Sequence, residues 1–378
     1  MARSPRKKTS KTGKKVRVPF RRNRSTKPRP NDWTHKVSES GDHEIDAHTR
    51  ESIASKGDLS RQRTIVVGGE TGKKDNYRIG VVLAMRGLYA DVDDGDRVLP
   101  CTVRRILRTR RISERQPVVV GDRVHFSVGK KSEGVEQDGV IEEVLPRRGT
   151  LRRLSGKRLH TIVANVDQVI IVGSARQPLP KPHLIDRYIV ASLFGGITPV
   201  VCMNKIDLDR DGSAGTILDR FAKLGYKTIR TSAITGEGID ALSGLLRGKE
   251  SGLAGQSGVG KSSLLNAVQP GLSLRVGSVA DQSEKGRHTT TTAELLRLDI
   301  GGYVVDTPGI RSFDLSPIPS GELEAYFVEF VDRVCRCKFP DCTHTHEIQC
   351  AIKDAVESGD IHPDRYESYL SLFQEATR

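Results

Sequence analysis

The spacing of apolar and polar positions changes character three times along the chain. Residues 1–62 show no apolar periodicity and are rich in Lys, Arg, Ser, Thr and Pro. Such a composition buries too little surface to offset ordering entropy, so a disordered tail is expected. From residue 63 to 150 the pattern turns to short β-rich runs separated by Gly and Asp turn signals: TIVVGG, YRIGVVLAM, LYADVDDGDRVLPCTV, PVVVGDRVHFSV and DGVIEEVLP. These predict a small closed barrel of the OB type. Over 151–318 strands alternate with helices. VDQVIIVG is a continuous apolar run, as expected of a strand covered on both faces. Residues 182–194 predict a helix with Ile185, Tyr188, Ile189 and Ser192 on one face. The strand PVVCMN, a helix near 213–224 and the strand YKTIRTSA follow, giving a three-layer α/β domain. Residues 319–378 predict helices around a Cys/His-rich loop. There Tyr366, Tyr369, Leu370 and Phe373 recur at i, i+3, i+4 and i+7 and define an apolar helix face.

Charge sharpens this division. The chain of 378 residues carries 61 Lys and Arg against 47 Asp and Glu, a net charge of +14. Residues 1–31 hold 13 of the cations and no acid, which leaves 48 basic and 47 acidic residues beyond them. The basicity belongs to the tail, and a run without counter-charges binds nucleic acid phosphates in a salt-dependent, sequence-independent way. An OB-type barrel fits the same partner. No apolar run approaches the ~20 residues of a membrane span, and no apolar stretch follows the basic N-terminus as in a secretory signal. The expectation is a cytoplasmic, monomeric protein with no membrane association. Six cysteines, four of them between Cys335 and Cys350, suit a metal site better than a disulfide framework.

The chemistry concentrates in five motifs. Gly255-Gln256-Ser257-Gly258-Val259-Gly260-Lys261-Ser262 matches G-x-x-x-x-G-K-[ST] and, with Ser263, opens a helix. Its glycines let backbone N–H groups face phosphate oxygens, Lys261 reaches the β- and γ-phosphates, and the Ser262 hydroxyl ligates Mg²⁺. Asn204-Lys205-Ile206-Asp207 follows a strand, and a carboxylate there accepts two hydrogen bonds from guanine that adenine cannot offer. Thr231-Ser232-Ala233, after the next strand, supplies the partner loop through Ser232 and Ala233. Asp306-Thr307-Pro308-Gly309 matches D-x-x-G, with Asp306 in the Mg²⁺ shell and the Gly309 amide sensing the γ-phosphate. GRHTTTT, residues 286–292, brings threonines to close over Mg²⁺. The guanine-reading motif precedes the phosphate loop and D-x-x-G comes last, so the GTPase domain is circularly permuted. The residue after D-x-x-G, where many small GTPases have a Gln that orients water, is Ile310. Slow unaided turnover is therefore expected, with His288 as candidate to position the water. In the C-terminal loop Cys337, Cys342, His344 and Cys350 offer a closed tetrahedral Zn²⁺ site, with Cys335 and His346 as spare candidates.

Taken together, ANVDQVIIVGSARQP, IDRY, NKIDL, GQSGVGKSSLLNAV, GRHTTT, DTPGI and CKFPDCTHTHEIQC resemble the ribosome-small-subunit-dependent GTPase A family of circularly permuted bacterial GTPases. The resemblance runs over roughly residues 64–378. It implies an N-terminal OB barrel (63–150), a permuted P-loop GTPase core (151–318) and a C-terminal helical zinc domain (319–378). It also implies GTP hydrolysis stimulated by the small ribosomal subunit during late maturation of that subunit, with its rRNA as partner. GTP or GDP, Mg²⁺ and one Zn²⁺ are the implied ligands. By the same resemblance Thr290 is the Mg²⁺-sensing threonine, His288 and Lys261 are the other catalytic candidates, and Cys337, Cys342, His344 and Cys350 hold the zinc. The basic tail lies beyond the family pattern, and Glu347-Ile348-Gln349-Cys350 stands where the pattern has Glu-Pro-Gly-Cys. A second reading is a GTP/GDP-sensing RNA-binding module whose hydrolysis is incidental.

Overall fold

The computed structural model describes residues 77–104, 107, 117–128, 138–155, 158–272, 293–306 and 318–377, with the strands Lys14–Pro19 (β1) and Gln62–Val67 (β2). The chain divides into two units, Met1–Tyr77 with Arg104–Pro117, and Arg78–Val103 with Val118–Arg378. In the first, β1 and β2 pair antiparallel from Lys14↔Val67 to Pro19↔Gln62. This corrects two expectations. Lys14–Pro19 is a strand within the stretch expected to be disordered, and Thr64–Val67 of the TIVVGG run pairs with it in a two-stranded sheet separate from the barrel strands. Val16 and Ile65 are partners in this register.

The second unit opens with the barrel. Arg78–Arg86 (β3), Tyr89–Asp93 (β4), Val98–Val103 (β5), Arg123–Val128 (β6) and Gly139–Val144 (β7) run in the order β3-β4-β5-β7-β6, and β3 pairs again with β6 to close the ring. The β5–β7 pair is parallel and the others are antiparallel, the connectivity of an OB barrel. Alternation decides what fills it: Val82, Val92, Cys101, Val124, Phe126 and Ile141 are buried, while Val81, Leu83 and Met85 on the other face of β3 pack on the α/β core. A short antiparallel ribbon follows, Thr150–Ser155 (β8) with Arg158–Ala164 (β9).

The α/β layer is built from Gln168–Ser174 (β10), Thr198–Asn204 (β11), Lys227–Arg230 (β12), Glu250–Ala254 (β13), Glu294–Arg297 (β14) and Tyr303–Asp306 (β15). Their order across the sheet is β12-β11-β10-β13-β15-β14, parallel except for β14. Every residue of β10 is buried, which is why its sequence reads as one apolar run. Val169 and Ile171 face one layer and Ile170 and Val172 the other. The first layer holds Pro182–Phe194 (α1) and Ser213–Lys223 (α2); the second holds Ile239–Leu246 (α3) and Lys261–Val268 (α4). β14 also pairs with β3 at Glu294↔Ala84, so barrel and α/β strands form one continuous sheet.

The C-terminal elements are Val328–Val331 (α5), Ala351–Glu357 (α6) and Pro363–Ala376 (α7), around a core of Phe327, Phe330, Ile352, Tyr369 and Leu372. The buried face of α7 is Arg365, Ser368, Tyr369 and Leu372. It is turned by about one residue from the expected face, whose Tyr366, Leu370 and Phe373 are only partly buried. The cause is Arg365, a cation drawn inward by two carboxylates described below. Among the described residues no helix is long and apolar enough to cross a membrane.

Candidate nucleotide-binding site and metal centre

The ends of the parallel strands decide where chemistry can occur, because loops leaving the carboxyl edge of such a sheet converge on one crevice. β13 leads into Gly255–Gly260 and α4 begins at Lys261. Gly255 has φ 142° and Gly260 φ 95°, both in the region that favours glycine. A Cβ on Gly255 would strike the Val172 carbonyl, and one on Gly260 would strike the Asn204 amide. The loop is thus pressed against two neighbouring strands. Lys261 Nζ donates to the Gly255 carbonyl at 2.7 Å and to the Gln256 carbonyl at 2.9 Å. The ammonium lies across the loop, and Val259 is buried.

The guanine-reading motif sits at the end of β11, next but one to the loop's own strand. Asn204 is buried, and its Nδ2 donates to the Val259 carbonyl at 2.8 Å. Lys205 has φ 58°, and its Nζ donates to the Gly258 carbonyl at 2.8 Å and to the Gln177 carbonyl. Both residues therefore hold the phosphate loop directly. Asp207 is held from the next strand end, where the Ser232 hydroxyl donates to its Oδ1 at 2.6 Å. Ser232 is fully buried and also accepts the Thr235 N–H at 3.2 Å. Ala233 packs on the second apolar layer. The structure accordingly brings Asn204, Lys205, Asp207, Ser232, Ala233 and residues 255–263 to one edge. Asp306 ends β15 at the same edge with only its backbone described. His288, Thr290 and Gly309 lie outside the described residues.

A second centre occupies the C-terminal loop. Among the described residues, Cys337, Cys342, His344 and Cys350 are the group of potential ligands that closes on itself, with ligand atoms within 4.8 Å of one another. His344 Nδ1 lies 3.3 Å from Cys350 Sγ and 3.6 Å from Cys337 Sγ, and the two sulfurs are 4.0 Å apart. Bond lengths of about 2.3 Å to sulfur and 2.0 Å to nitrogen around a tetrahedral Zn²⁺ call for edges of roughly 3.5–3.8 Å. The residues fit that ion. His344 Nε2 meets Glu324 Oε2 at 2.7 Å, and a carboxylate there fixes the tautomer that leaves Nδ1 facing the thiols. Glu347 braces the loop by accepting from the Thr343 amide and hydroxyl and the Thr345 amide. Burial raises its pKa, but these bonds outweigh it and bring the carboxyl to about 2. Cys335 and His346 are exposed and stand apart from the cluster. The Gln349 backbone takes φ 58°, a conformation that Gly favours, immediately before Cys350.

Three features of this framework were not foreseen from the residues. Glu324 lies 20 positions before His344 in a different turn. Asp186 on α1 is buried against Arg365 of α7, which Glu329 of α5 also holds at 2.6 and 2.9 Å. A charged residue amid the apolar periodicity of α1 was the available signal. Glu250, at the start of β13, is the third; it is buried and meets Arg123 of the barrel at 3.1 Å.

A G-x-x-x-x-G-K-S loop, the N-K-x-D and T-S-A strand ends beside it and a Cys₃His cluster on a sheet with permuted strand connections define a circularly permuted P-loop GTPase with a C-terminal unit whose donor set suits zinc. The RsgA GTPase family profile matches residues 144–316. Small ribosomal subunit biogenesis GTPase RsgA of Thermotoga petrophila is 41% identical over 303 residues, covering 79% of this chain and 96% of the relative. The protein of the same name in Azotobacter vinelandii is 40% identical over 311 residues, covering 81% and 87%. The chain belongs to the RsgA GTPase family. Among solved structures, YjeQ from Thermotoga maritima superposes with a TM-score of 0.65 at 38% identity, over 80% of this chain and 99% of that one. YloQ, described as a circularly permuted GTPase, gives 0.62 at 29% identity over 82% and 98%.

Proposed function

We propose that this protein hydrolyses GTP in the biogenesis of the small ribosomal subunit, slowly alone and faster when bound to that subunit. The observation that carries the reading is the joining of base-reading and phosphate loops, where Asn204 Nδ2 bonds the Val259 carbonyl at 2.8 Å and Ser232 holds Asp207 at 2.6 Å. The names of its relatives support the cellular role.

In this reading Asp207 selects guanine, the amides of Gly255–Gly260 cradle phosphate oxygens, and Lys261 leaves its carbonyl partners to neutralise charge on the transferred phosphoryl group. Ser262, Thr290 and Asp306 would hold Mg²⁺, which would supply charge neutralisation at the phosphates. Gly309 senses the γ-phosphate, and His288 orients water in the role Ile310 cannot fill. Cys337, Cys342, His344 and Cys350 would hold one structural Zn²⁺. Four protein ligands leave no open position, so the zinc has no part in hydrolysis. The barrel and the basic tail meet rRNA, in the cytoplasm, as a monomer.

Steady-state GTP hydrolysis with and without purified small subunits, at two salt concentrations, tests this. Strong stimulation that fades at high salt is expected, because docking on rRNA phosphates releases counterions. Tight GTP binding with no stimulation would overturn the reading in favour of a nucleotide-sensing RNA-binding module.

A further inference from the structure

Helix α1 carries two polar residues that the nucleotide and zinc sites leave unused, and each reaches a different neighbour. Asp186 is fully buried and bonded by Arg365 of α7, whose remaining nitrogens are held by Glu329 of α5. Val190, one turn further on, belongs to the C-terminal apolar core, and Phe194 meets the Tyr326 ring edge-on at 5.9 Å. An outer ion pair, Arg187 with Glu375 at 2.9 Å, ties the same two helices. Tyr188 belongs instead to the α/β core, and it stands beside the Gly255 backbone that opens the phosphate loop, the two lining one cavity. Its ring lines a small cavity with Gln256 and Val259 of the phosphate loop. One helix of 13 residues thus touches both the zinc-bearing unit and the loop that begins the phosphate site.

The ion cluster is poorly built as a stabiliser. Two carboxylates share one guanidinium, and Asp186 Oδ2 has no hydrogen-bond partner among the described residues. Apolar residues of similar volume usually serve stability as well as a buried cluster of this kind. What charged partners add is register: an α1 shifted against α7 would leave charges buried and unpaired. Because helices transmit displacement as rigid bodies, fixing α1 at Asp186 also fixes Tyr188 one half-turn away.

We propose that Tyr188 is a positioning residue for the phosphate loop, and that the C-terminal unit sets how tightly nucleotide is held through Arg365, Glu329, Asp186 and α1. The proposal rests on the GTPase reading. The test uses the full chain and a fluorescent GDP analogue, following its release by stopped flow in wild type, Tyr188→Phe, Glu329→Gln and the double variant. Tyr188→Phe is expected to speed release about three- to tenfold with an unfolding midpoint within about 2 °C of wild type, a split that a merely structural hydroxyl would not give. Glu329→Gln is expected to speed release as well, and the double variant to release no faster than the quicker single one, since both act through one helix. Glu375→Gln, on the exposed pair, replaces Glu329→Gln if that variant does not fold. Release at the wild-type rate in Tyr188→Phe, or effects that multiply in the double variant, overturn the proposal. A wild type that binds no GDP would instead overturn the GTPase reading beneath it.

Discussion

Glu250 offers a test of the joint between barrel and α/β sheet that needs no ligand. It opens β13, the strand that feeds the phosphate loop. Arg123 of β6 donates to Oε1 at 3.1 Å, whereas Oε2 is buried with no hydrogen-bond partner among the described residues. Burial pushes the carboxyl from its ordinary 4.5 up to about 7; Arg123 opposes the shift and the Asp167 charge adds to it. Arg123 is half exposed, so water screens the cation while the carboxylate pays most of the desolvation. The folded state therefore holds a proton that the unfolded state releases. Its contribution is fully present below pH 4.5, is lost progressively as pH rises to about 7, and is flat beyond. At 1.36 kcal/mol per pH unit, stability should fall by roughly 2–3 kcal/mol between pH 5 and pH 8 from this group alone. Glu250→Gln keeps an acceptor for Arg123 and removes the titration. Denaturant unfolding of both proteins at pH 5, 6, 7 and 8 isolates the term as their difference. The variant is expected to gain on wild type by that amount as pH rises. Parallel curves across this range would refute the reasoning.

Asp207→Asn is expected to weaken GTP binding by on the order of a hundredfold and to improve binding of the xanthine nucleotide, whose 2-carbonyl accepts from the new amide; competition titration reads both. Lys261→Ala should lower kcat/KM for GTP by about a hundredfold or more while leaving the thermal midpoint of the free protein near wild type. Cys350→Ser should abolish retention of one zinc per chain after dialysis, by metal analysis, and speed amide exchange in α6 and α7 but not in β10. Gln349→Gly should stabilise the zinc loop by about 0.5 kcal/mol, as relief of a left-handed Gln outweighs the entropy of Gly, measured as slower zinc loss to a chelator.

What the residues disclosed and what they withheld follow from range. β10 and α1 were legible because their burial is set locally, by an unbroken apolar run and by a 3.6-residue period that places Ile185, Tyr188, Ile189 and Ser192 inward. The Gly255–Ser262 and Asn204–Asp207 motifs stood out because the chemistry expected of them demands fixed residue types at fixed spacing, and the structure places them side by side. Arg365 turned the face of α7 because its partners, Asp186 and Glu329, lie 179 and 36 residues away. A helical period cannot announce so distant a pair. The same reason hid Glu324 behind His344 and Arg123 beside Glu250. The pairing of β1 with β2 needed two segments more than forty residues apart to recognise each other; TIVV signalled a strand by itself, but its partner in the basic tail did not.

The connections also explain how a permuted chain keeps an ordinary GTPase sheet. In the usual order the phosphate-loop strand comes first, and the helix after the second guanine-reading loop comes last. Here those two elements are β13 and α3, and only Arg247, Gly248 and Lys249 separate Leu246 from Glu250. The join is short because the two ends already lie together: the Gly248 amide donates to Gly301 and the Tyr303 amide to Lys249, stitching the link to the turn before β15. The new opening falls between β15 and β10, immediately after D-x-x-G. Barrel and ribbon enter the chain before β10, and the C-terminal unit follows β15, so both additions attach on either side of one cut. Each is then secured sideways: the barrel by Tyr303 donating to Asp93 at 2.9 Å and Arg297 to the Gly95 carbonyl at 2.8 Å, the C-terminal unit by Asp186 and Arg365. β14 and β15, which carry the barrel's anchors, directly follow residues 286–292 and precede Gly309. A permutation cut anywhere else in the sheet would have hung these units away from the two segments proposed to sense the terminal phosphate.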